Sequence, residues 1–530
     1  MRVGIIYAYM DNRRRGKPYA GPIQPITGAL IAALLPPDVE VEVINDRSPG
    51  DVDWSRKYDL VFLSSIHSDF DRARQISHWF RRRGAKTVYG GFMASTYTHL
   101  CSPFFDAVVV GDAEGCVAQI FEDFRRGDLQ PLYVSSPYDP MAVPVPRFDL
   151  LADRNLIPLT LEATRGCPFT CEFCALTGIG TRFHTRPVER IVHEVQEGRR
   201  MLRGRVPSYK LRFACFVDNN IGGNPRWLDE LCDALEPLDL RWGSQITFNV
   251  LTNLDRVKTL SRAGCRTMFV GLESLNPATL ADMNKVQNTI HRTREVLEQC
   301  RQHGILVGSG LMLSPTVDDL DYIHSLPERL RECGLYLPSY VCFESPIPGT
   351  PHFHRLAAEE EPAFLPNALL RDFSGYTLTV RPKHETAEAF VEGYKWLLKR
   401  LYTTGTRLRR FSHTVPGYVA EGWWATLLFD LANTMASADK ADAGRTYLAG
   451  TDAPWAEASV PFTDSDFRSE EERRAILEPW RVTDEEGRVL PLWTGSTKLF
   501  AERGRMAPDV ERIPDLLHQP LELAPLTASA

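Results

Sequence analysis

Three closely spaced cysteines, Cys167, Cys171 and Cys174, constrain this chain more than any other feature of its sequence. They follow an apolar run, residues 157–163, which is typical of a short buried strand. All three thiols therefore fall on one tight loop at the carboxyl end of a strand. Thiolates are the usual ligands of iron–sulfur clusters. Three of them would hold three irons of a [4Fe–4S] cluster and leave the fourth iron open to a small molecule.

Two other interpretations of the cysteines stay open at this point. A structural zinc ion needs four ligands, and His184 is available as the fourth, although no second Cys-x2-Cys pair follows. Disulfides are the other interpretation. The remaining eight cysteines are scattered singly, mostly beside apolar residues, which is typical of reduced, buried thiols in a cytosolic protein.

Composition restricts the class of protein. A chain of 530 residues with 43% hydrophobic and 24% charged residues predicts two to four globular domains. Its net charge of −7 gives no reason to expect a general affinity for nucleic acid. No apolar run reaches the roughly 18 residues of a membrane-spanning helix, and the first residues lack a signal-peptide pattern. We therefore expect a cytoplasmic protein without a transmembrane segment or a nucleic-acid partner.

The first predicted domain, residues 1–130, alternates short apolar strands with amphipathic helices. This alternation predicts a parallel, Rossmann-like α/β sheet with helices on both faces. Ligands of such sheets bind at the carboxyl ends of the strands, where this chain carries Ser64, Gly90, Gly91 and Gly111. Glycines there let the backbone approach a ligand closely, although plain tight turns would also need them.

A proline-rich linker, residues 131–150, precedes a second strand–helix series over residues 151–350. Six predicted units indicate a partial (β/α)6 barrel of the TIM type. Its predicted strands are 159–163, 211–217, 245–250, 267–272, 306–312 and 340–344. The cysteine loop and Asp218, Asn249, Glu273, Ser314 and Glu344 then all lie at strand carboxyl ends. Residues 351–530 predict a mostly helical, less regular region with no chemical motif over 405–530, ending in a disordered tail at 521–530.

Several strings in this order resemble the cobalamin-binding branch of the radical S-adenosylmethionine (SAM) superfamily, over nearly all of residues 1–405. Besides the cysteine loop they are Gly90-Gly91, the run 108–115, Phe216-Val217-Asp218-Asn219-Asn220, Gly271-Leu272-Glu273-Ser274 and the run 346–351. The resemblance implies a [4Fe–4S] cluster on Cys167, Cys171 and Cys174, with SAM on the open iron. It also implies cobalamin at the Ser64, Gly90, Gly91 and Gly111 edge, and cofactor contacts from Asp218 and Glu273.

Two departures qualify these implications. No D-x-H-x-x-G string supplies an axial histidine, and His67 has the wrong neighbours, so we expect no protein histidine on cobalt. Asn219 stands where an acid is common, which leaves Asp218 as the candidate there. Asp218 alternatively caps a loop. Glu273 alternatively pairs with Arg266 or Lys285 rather than with the SAM ribose, because a buried charge needs a partner.

The activity that the resemblance implies is methylation of an unactivated carbon of a lipid or natural-product substrate, through methylcobalamin and a 5′-deoxyadenosyl radical. The cluster would need an electron donor of the flavodoxin or ferredoxin type. One alternative is a cobalamin radical SAM enzyme that carries out an oxidative cyclisation or rearrangement without net methylation. A second is a cobalamin- or SAM-binding sensor, which leaves the cluster loop without an explanation.

Overall fold

The computed structural model describes residues 1–9, 25–46, 51–151, 157–285, 287–436, 447–451 and 460–494. It contains two six-stranded parallel sheets. The first sheet has the order β2-β1-β3-β4-β5-β6 and consists of β1 (Arg2–Tyr7), β2 (Glu40–Asn45), β3 (Leu60–Ser65), β4 (Lys86–Gly91), β5 (Ala107–Val110) and β6 (Leu132–Val134). Its helices are α1 (Thr27–Ala33), α2 (Phe70–Arg81), α3 (Phe92–Thr96), α4 (Thr98–Cys101) and α5 (Val117–Arg126).

Strand β3 illustrates why the first sheet is buried on both faces. Val61 and Leu63 belong to the cluster of apolar side chains that includes α2, whereas Leu60 and Phe62 belong to the cluster with α1 and α5. Successive side chains of a strand point to opposite faces. A continuous apolar run is therefore what a strand covered on both sides requires, as predicted.

The second sheet is the predicted partial barrel. Its strand order is β14-β13-β12-β11-β10-β7, all parallel, and no pairing joins β7 to β14 among the described residues. The strands are β7 (Leu159–Leu161), β10 (Phe213–Phe216), β11 (Arg241–Ile246), β12 (Cys265–Glu273), β13 (Leu306–Leu313) and β14 (Tyr340–Phe343). A short antiparallel pair, β8 (Thr164–Arg165) and β9 (His184–Thr185), flanks the cysteine loop.

Helices follow the strands of the partial barrel in the expected alternation. They are α6 (Ala175–Ile179), α7 (Val188–Leu202), α8 (Pro225–Leu235), α9 (Phe248–Leu251), α10 (Leu254–Arg262), α11 (Pro277–Asp282), α12 (Thr293–Gln302) and α13 (Leu320–Glu332). The α/β fold class is confirmed.

Two elements differ from the sequence prediction. The third barrel strand was expected at 245–250 but runs over Arg241–Ile246, and Asn249 lies in α9 rather than at a strand end. Pairing of Arg241 with Phe213 of β10 fixes where this strand begins. The second difference is β6, which lies inside the predicted linker and pairs with β5. An edge strand of three residues is too short to stand out beside prolines.

The C-terminal region is largely helical where it is described. It contains α14 (Pro351–Ala357), α15 (Ala387–Leu401), α16 (Thr404–Ala420), α17 (Trp424–Ala436), α18 (Glu470–Leu477) and α19 (Pro491–Thr494), with one small strand pair, β15 (Thr377–Leu378) and β16 (Tyr447–Leu448). The predicted disordered tail, 521–530, lies outside the described residues. No helix in the described ranges is long and apolar enough to span a membrane.

Two tryptophans of this region pack on the first sheet's helices. Trp480 meets the rings of Phe70 and Phe104 edge-on, and Trp493 meets Tyr97. Because α15 packs on α13 of the partial barrel, the C-terminal region contacts both α/β units.

Candidate metal-cluster site

The loop that carries the three cysteines begins at a glycine. Gly166 has a φ of +82°, and a Cβ there would lie 2.1 Å from the carbonyl oxygen of Arg182. Only glycine accepts both this backbone conformation and this contact. The close approach lets the chain turn directly from β8 into Cys167, so the thiols start at the strand's carboxyl end.

Asp218 anchors the chain from β7 towards the loop. Its carboxylate is buried and accepts hydrogen bonds from the Ala163 amide at 3.2 Å, from the Thr164 hydroxyl at 2.6 Å and from the Thr164 amide. Burial raises the pKa of Asp218 to about 7, while the Thr164 hydrogen bond opposes that rise. The geometry is that of a loop cap. The predicted contact between Asp218 and a cofactor stays a prediction.

The three thiols are spread more widely than the ligands of one metal ion. In the described part of the chain, the only trio with ligand atoms all within 4.8 Å of one another is Asp282, Glu344 and His352. The thiols are nonetheless close enough to interact, since burial and the charges of Cys171 and Cys167 raise the pKa of Cys174. His184, the proposed fourth zinc ligand, packs its ring against Tyr138. A cluster in which each cysteine binds a different iron fits this arrangement better than a zinc ion.

Two side-chain amides contact the thiols. The Asn220 Nδ2 group lies 3.7 Å from the Cys167 Sγ atom, and the Gln287 Nε2 group lies 3.6 Å from the Cys171 Sγ atom. Both amides are buried. Sequence reasoning missed both residues. Asn220 stands beside the Asn219 that was noted, but Gln287 belongs to no motif.

Glu273 lies at the carboxyl end of β12 in an unusual conformation. Its φ is +62°, and the register between β12 and β13 shifts at this point. A bulge of this kind re-aims a side chain, and strain in a non-glycine residue is common at functional sites. The carboxylate pairs with the Lys285 ammonium group at 2.8 Å.

Lys285 is the partner that the sequence left as one of several options. Burial by itself lowers the pKa of Lys285, but the charges of Glu273 and Cys171 outweigh burial and raise it. Its ammonium group also lies 5.7 Å from the centre of the Phe173 ring. The other option, Arg266, instead donates to the Cys265 and Ser261 carbonyls at the amino end of β12. Lys285 therefore joins Glu273 electrostatically to the cysteine loop.

A second acid, Glu344, follows β14 at the same edge. The Glu344 carboxylate and the His352 ring are almost fully buried, with the Oε1 and Nδ1 atoms 3.1 Å apart. Asp282 completes this trio and also pairs with Arg355 at 3.2 Å. The His352 amide donates to the Glu172 carbonyl, which places the pair directly beside the cysteine loop.

The carboxyl edge of the first sheet has a different character. Ser64 pairs in register with Gly90 on the neighbouring strand, and Gly91 has a φ of +122°. Gly111 follows β5 with a φ of +97°, and its amide donates to the Ser95 hydroxyl at 3.1 Å. The predicted residues are thus brought to one edge, which presents backbone and small side chains.

His67 lies just beyond this edge and is already engaged. Its Nε2 group donates to the Phe373 carbonyl at 2.6 Å, and its ring is 6% exposed. Burial lowers the pKa of His67 to about 4. A neutral, buried ring with this hydrogen bond agrees with the expectation that His67 serves the fold.

Arg165 joins the two edges. Its guanidinium group contacts Glu114 at 2.7 Å and Asp112 at 3.0 Å, both on the loop after β5, and Glu162 at 2.6 Å. It also stacks over the Tyr138 ring at 4.2 Å. Since Arg165 lies two residues before Cys167, the carboxyl edge of the first sheet and the cysteine loop adjoin each other.

Comparison with known proteins agrees with this geometry. Residues 161–326 match the radical SAM superfamily. The chain is 24% identical over 394 residues to a bacteriochlorophyllide d C-8(2)-methyltransferase of Chlorobaculum tepidum, covering 70% of this chain and 86% of that protein. It is 25% identical over 350 residues to a hopanoid C-2 methylase of Rhodopseudomonas palustris, covering 62% of this chain and 63% of the relative.

A solved structure shares the fold. It is that of a radical S-adenosylmethionine methyltransferase, TsrM, from Kitasatospora setae, with cobalamin and a [4Fe–4S] cluster bound. The TM-score is 0.52 at 16% identity, and the match covers 67% of this chain and 77% of that one.

Proposed function

We propose that this chain, whose residues 161–326 match the radical SAM superfamily, is a cobalamin-dependent methyltransferase acting on an unactivated carbon. The observation that carries the proposal is the junction at Arg165. It brings the glycine-rich edge of a parallel α/β sheet against a loop of three cysteines. One edge suits a large, flat ligand and the other suits a metal cluster, so a substrate between them would meet both.

Each residue has a distinct task in this proposal. Cys167, Cys171 and Cys174 hold the [4Fe–4S] cluster, and the first sheet holds cobalamin over Ser64, Gly90, Gly91 and Gly111, without a histidine on cobalt. When bound, the cluster and SAM supply a radical that activates an inert C–H bond, and cobalamin supplies the methyl carrier.

Glu273 is proposed to accept hydrogen bonds from the SAM ribose hydroxyls. A buried carboxylate makes charge-assisted hydrogen bonds, which are worth about 1.5–3 kcal/mol each. Lys285, whose ammonium group lies 2.8 Å from Glu273, gives that buried carboxylate a partner while the ribose is absent. Asp218 is proposed to act close to the cofactor by fixing the chain that leads into the cysteine loop.

The names of two relatives support a proposal for the substrate class. One relative is named for methylation of a bacteriochlorophyllide, which is a tetrapyrrole, and the other for methylation of a hopanoid, which is a lipid. We propose a substrate of this kind, a lipid or a natural-product intermediate with a large apolar skeleton. Reduction of the cluster requires an electron donor, for which a flavodoxin- or ferredoxin-type protein is proposed.

The test is anaerobic reconstitution followed by mass analysis of the products formed from SAM with a deuterated methyl group. Tetrapyrrole and hopanoid substrates are supplied in parallel with a chemical reductant. We expect the labelled methyl group in the product, and both S-adenosylhomocysteine and 5′-deoxyadenosine among the products formed from SAM. Turnover that yields 5′-deoxyadenosine and an unmethylated product would instead establish an oxidative cyclase or rearrangement enzyme. Bound cobalamin with no SAM cleavage under any condition would indicate a sensor.

A further inference from the structure

The orientation of the Asn220 amide beside Cys167 is fixed by its hydrogen bonds. The Asn220 Oδ1 atom lies 3.2 Å from the Thr247 amide nitrogen and 3.3 Å from the Thr247 hydroxyl. The backbone N–H group can only donate, so the atom that faces it must be the oxygen. The NH₂ group of Asn220 consequently points at Cys167, and its side chain is fully buried.

Gln287 contacts Cys171 and lies on a segment that is itself docked on the cysteine loop. The Glu172 amide donates to the Met283 carbonyl at 3.2 Å, and the Asn284 side chain donates to the Thr170 carbonyl at 3.1 Å. A metal-bound thiolate has no proton to donate. The Gln287 Nε2 group at 3.6 Å is therefore the donor to that sulfur.

The third sulfur receives donors of another kind. Backbone amides of Leu176 and Thr177, at the start of α6, face the Cys174 thiol. Each of the three sulfurs thus faces at least one N–H group. Two of these groups belong to side chains, which substitution can remove without altering the backbone.

We propose that Asn220 and Gln287 are positioning residues that raise the reduction potential of the cluster, each through the sulfur it contacts. The inference rests on the proposed function, since it concerns the cluster on these three cysteines. An N–H group directed at a thiolate stabilises negative charge on the cluster, and one-electron reduction adds such a charge. Hydrogen bonds to the sulfurs are among the factors that set cluster potentials. The two amides would bring reduction within reach of a protein electron donor.

The experiment is an anaerobic redox titration of the full-length chain, following the paramagnetic resonance signal of the reduced cluster. Two variants remove the donors, Asn220→Asp, which keeps the acceptor for Thr247, and Gln287→Met, which keeps the side-chain length. Each variant should lower the equilibrium constant for reduction about tenfold, a shift of about 59 mV for a one-electron couple. The double variant should shift by about the sum, because the amides contact different sulfurs.

Asn219→Asp is the matched control. It introduces the same charge one residue away, on an exposed side chain. The control should shift the potential much less than Asn220→Asp. Variants with full iron and sulfide content but a wild-type potential would overturn the inference, and so would an equal shift in the control. If Asn220→Asp does not retain iron, Gln287→Met decides alone, and Gln287→Glu replaces it should Met also lose the cluster. A wild-type chain without a cluster would instead refute the proposed function.

Discussion

The carboxyl edges of the two parallel sheets adjoin each other but are built from different chemistry. The partial barrel ends in thiols and buried charges, with Glu273 and Lys285 at 2.8 Å and Glu344 beside His352. The first sheet ends in Ser64 and glycines, next to a histidine that burial keeps neutral. The same sheet architecture therefore supports two modes of binding. In the proposed function, the barrel edge would hold its ligands through charge and metal coordination, and the first edge through close approach of the backbone.

The largest expected effect comes from the barrel edge. Cys171→Ala should abolish cluster binding and with it all SAM cleavage, because the remaining two thiols leave a second iron of the cluster without a protein ligand. Iron and sulfide analysis, together with the broad absorbance near about 400 nm that is typical of thiolate-ligated iron, measures the change. Cys215→Ala, which alters a thiol on β10 outside the loop, should keep full iron content. Retention of the cluster in Cys171→Ala would contradict the assignment.

A second change tests the charged pair at that edge. Lys285→Met leaves the buried Glu273 carboxylate without its partner, which should destabilise the fold by about 3–5 kcal/mol. Denaturant unfolding of the cluster-free protein measures this loss. The double variant Glu273→Gln/Lys285→Met serves as the control and should recover much of the stability. Equal losses in the single and double variants would mean that packing, and not the buried charge, is responsible.

A third prediction concerns His67, the buried histidine beside the carboxyl edge of the first sheet. The pKa of His67 is about 4 in the folded protein and 6.5 in the unfolded chain, because burial disfavours the charged ring. Between these values the unfolded chain binds the proton more readily. Protonation of His67 therefore costs no folding stability above about pH 6.5, and the free energy of unfolding falls as the pH drops towards 4. His67 should account for about 3 kcal/mol of this loss.

His67→Gln removes the titrating ring and retains a donor for the Phe373 carbonyl. The stability difference between the wild type and this variant, measured by unfolding at pH 7.5 and at pH 4.5, should shrink or reverse at the lower pH. The same variant should leave the paramagnetic resonance spectrum of bound cob(II)alamin unchanged. Nitrogen splitting that disappears in the variant would instead identify His67 as a cobalt ligand.

The smallest expected effect belongs to the glycines of the first edge. A Cβ at Gly90 would meet only Val109, at 3.7 Å, so Gly90→Leu should fold normally while filling the space above the edge. Cobalamin retention should fall about tenfold, a loss of about 1.4 kcal/mol, with unchanged iron content. Lys86→Leu places the same side chain at the amino end of the same strand. Equal cobalamin retention in both variants would remove Gly90 from the binding surface.

Local sequence carried enough information to predict most of this architecture. Buried parallel strands need continuous apolar runs, which mark β1, β3 and β12 clearly. The prediction was wrong where strand pairing decides the bounds of a strand. Strand β11, Arg241–Ile246, begins where it pairs with β10 and β12. The apolar residues of α9 were assigned to that strand, because a short apolar run fits a strand and a buried helix equally well.

The sequence by itself determined which metal-binding groups the candidate cluster site carries. Its three thiols lie within eight residues, so the local chain alone keeps them close together. It also determined the turn into the loop, because Gly166 accepts a φ of +82° that other residues rarely adopt. The tertiary structure decided the partners. Asn220 and Gln287 are 53 and 116 positions from the thiols they contact, and Arg165 is 51 positions from Glu114. Hydrogen bonds and ion pairs depend on distance and direction in space, and those are fixed only once the two sheets have formed and packed together.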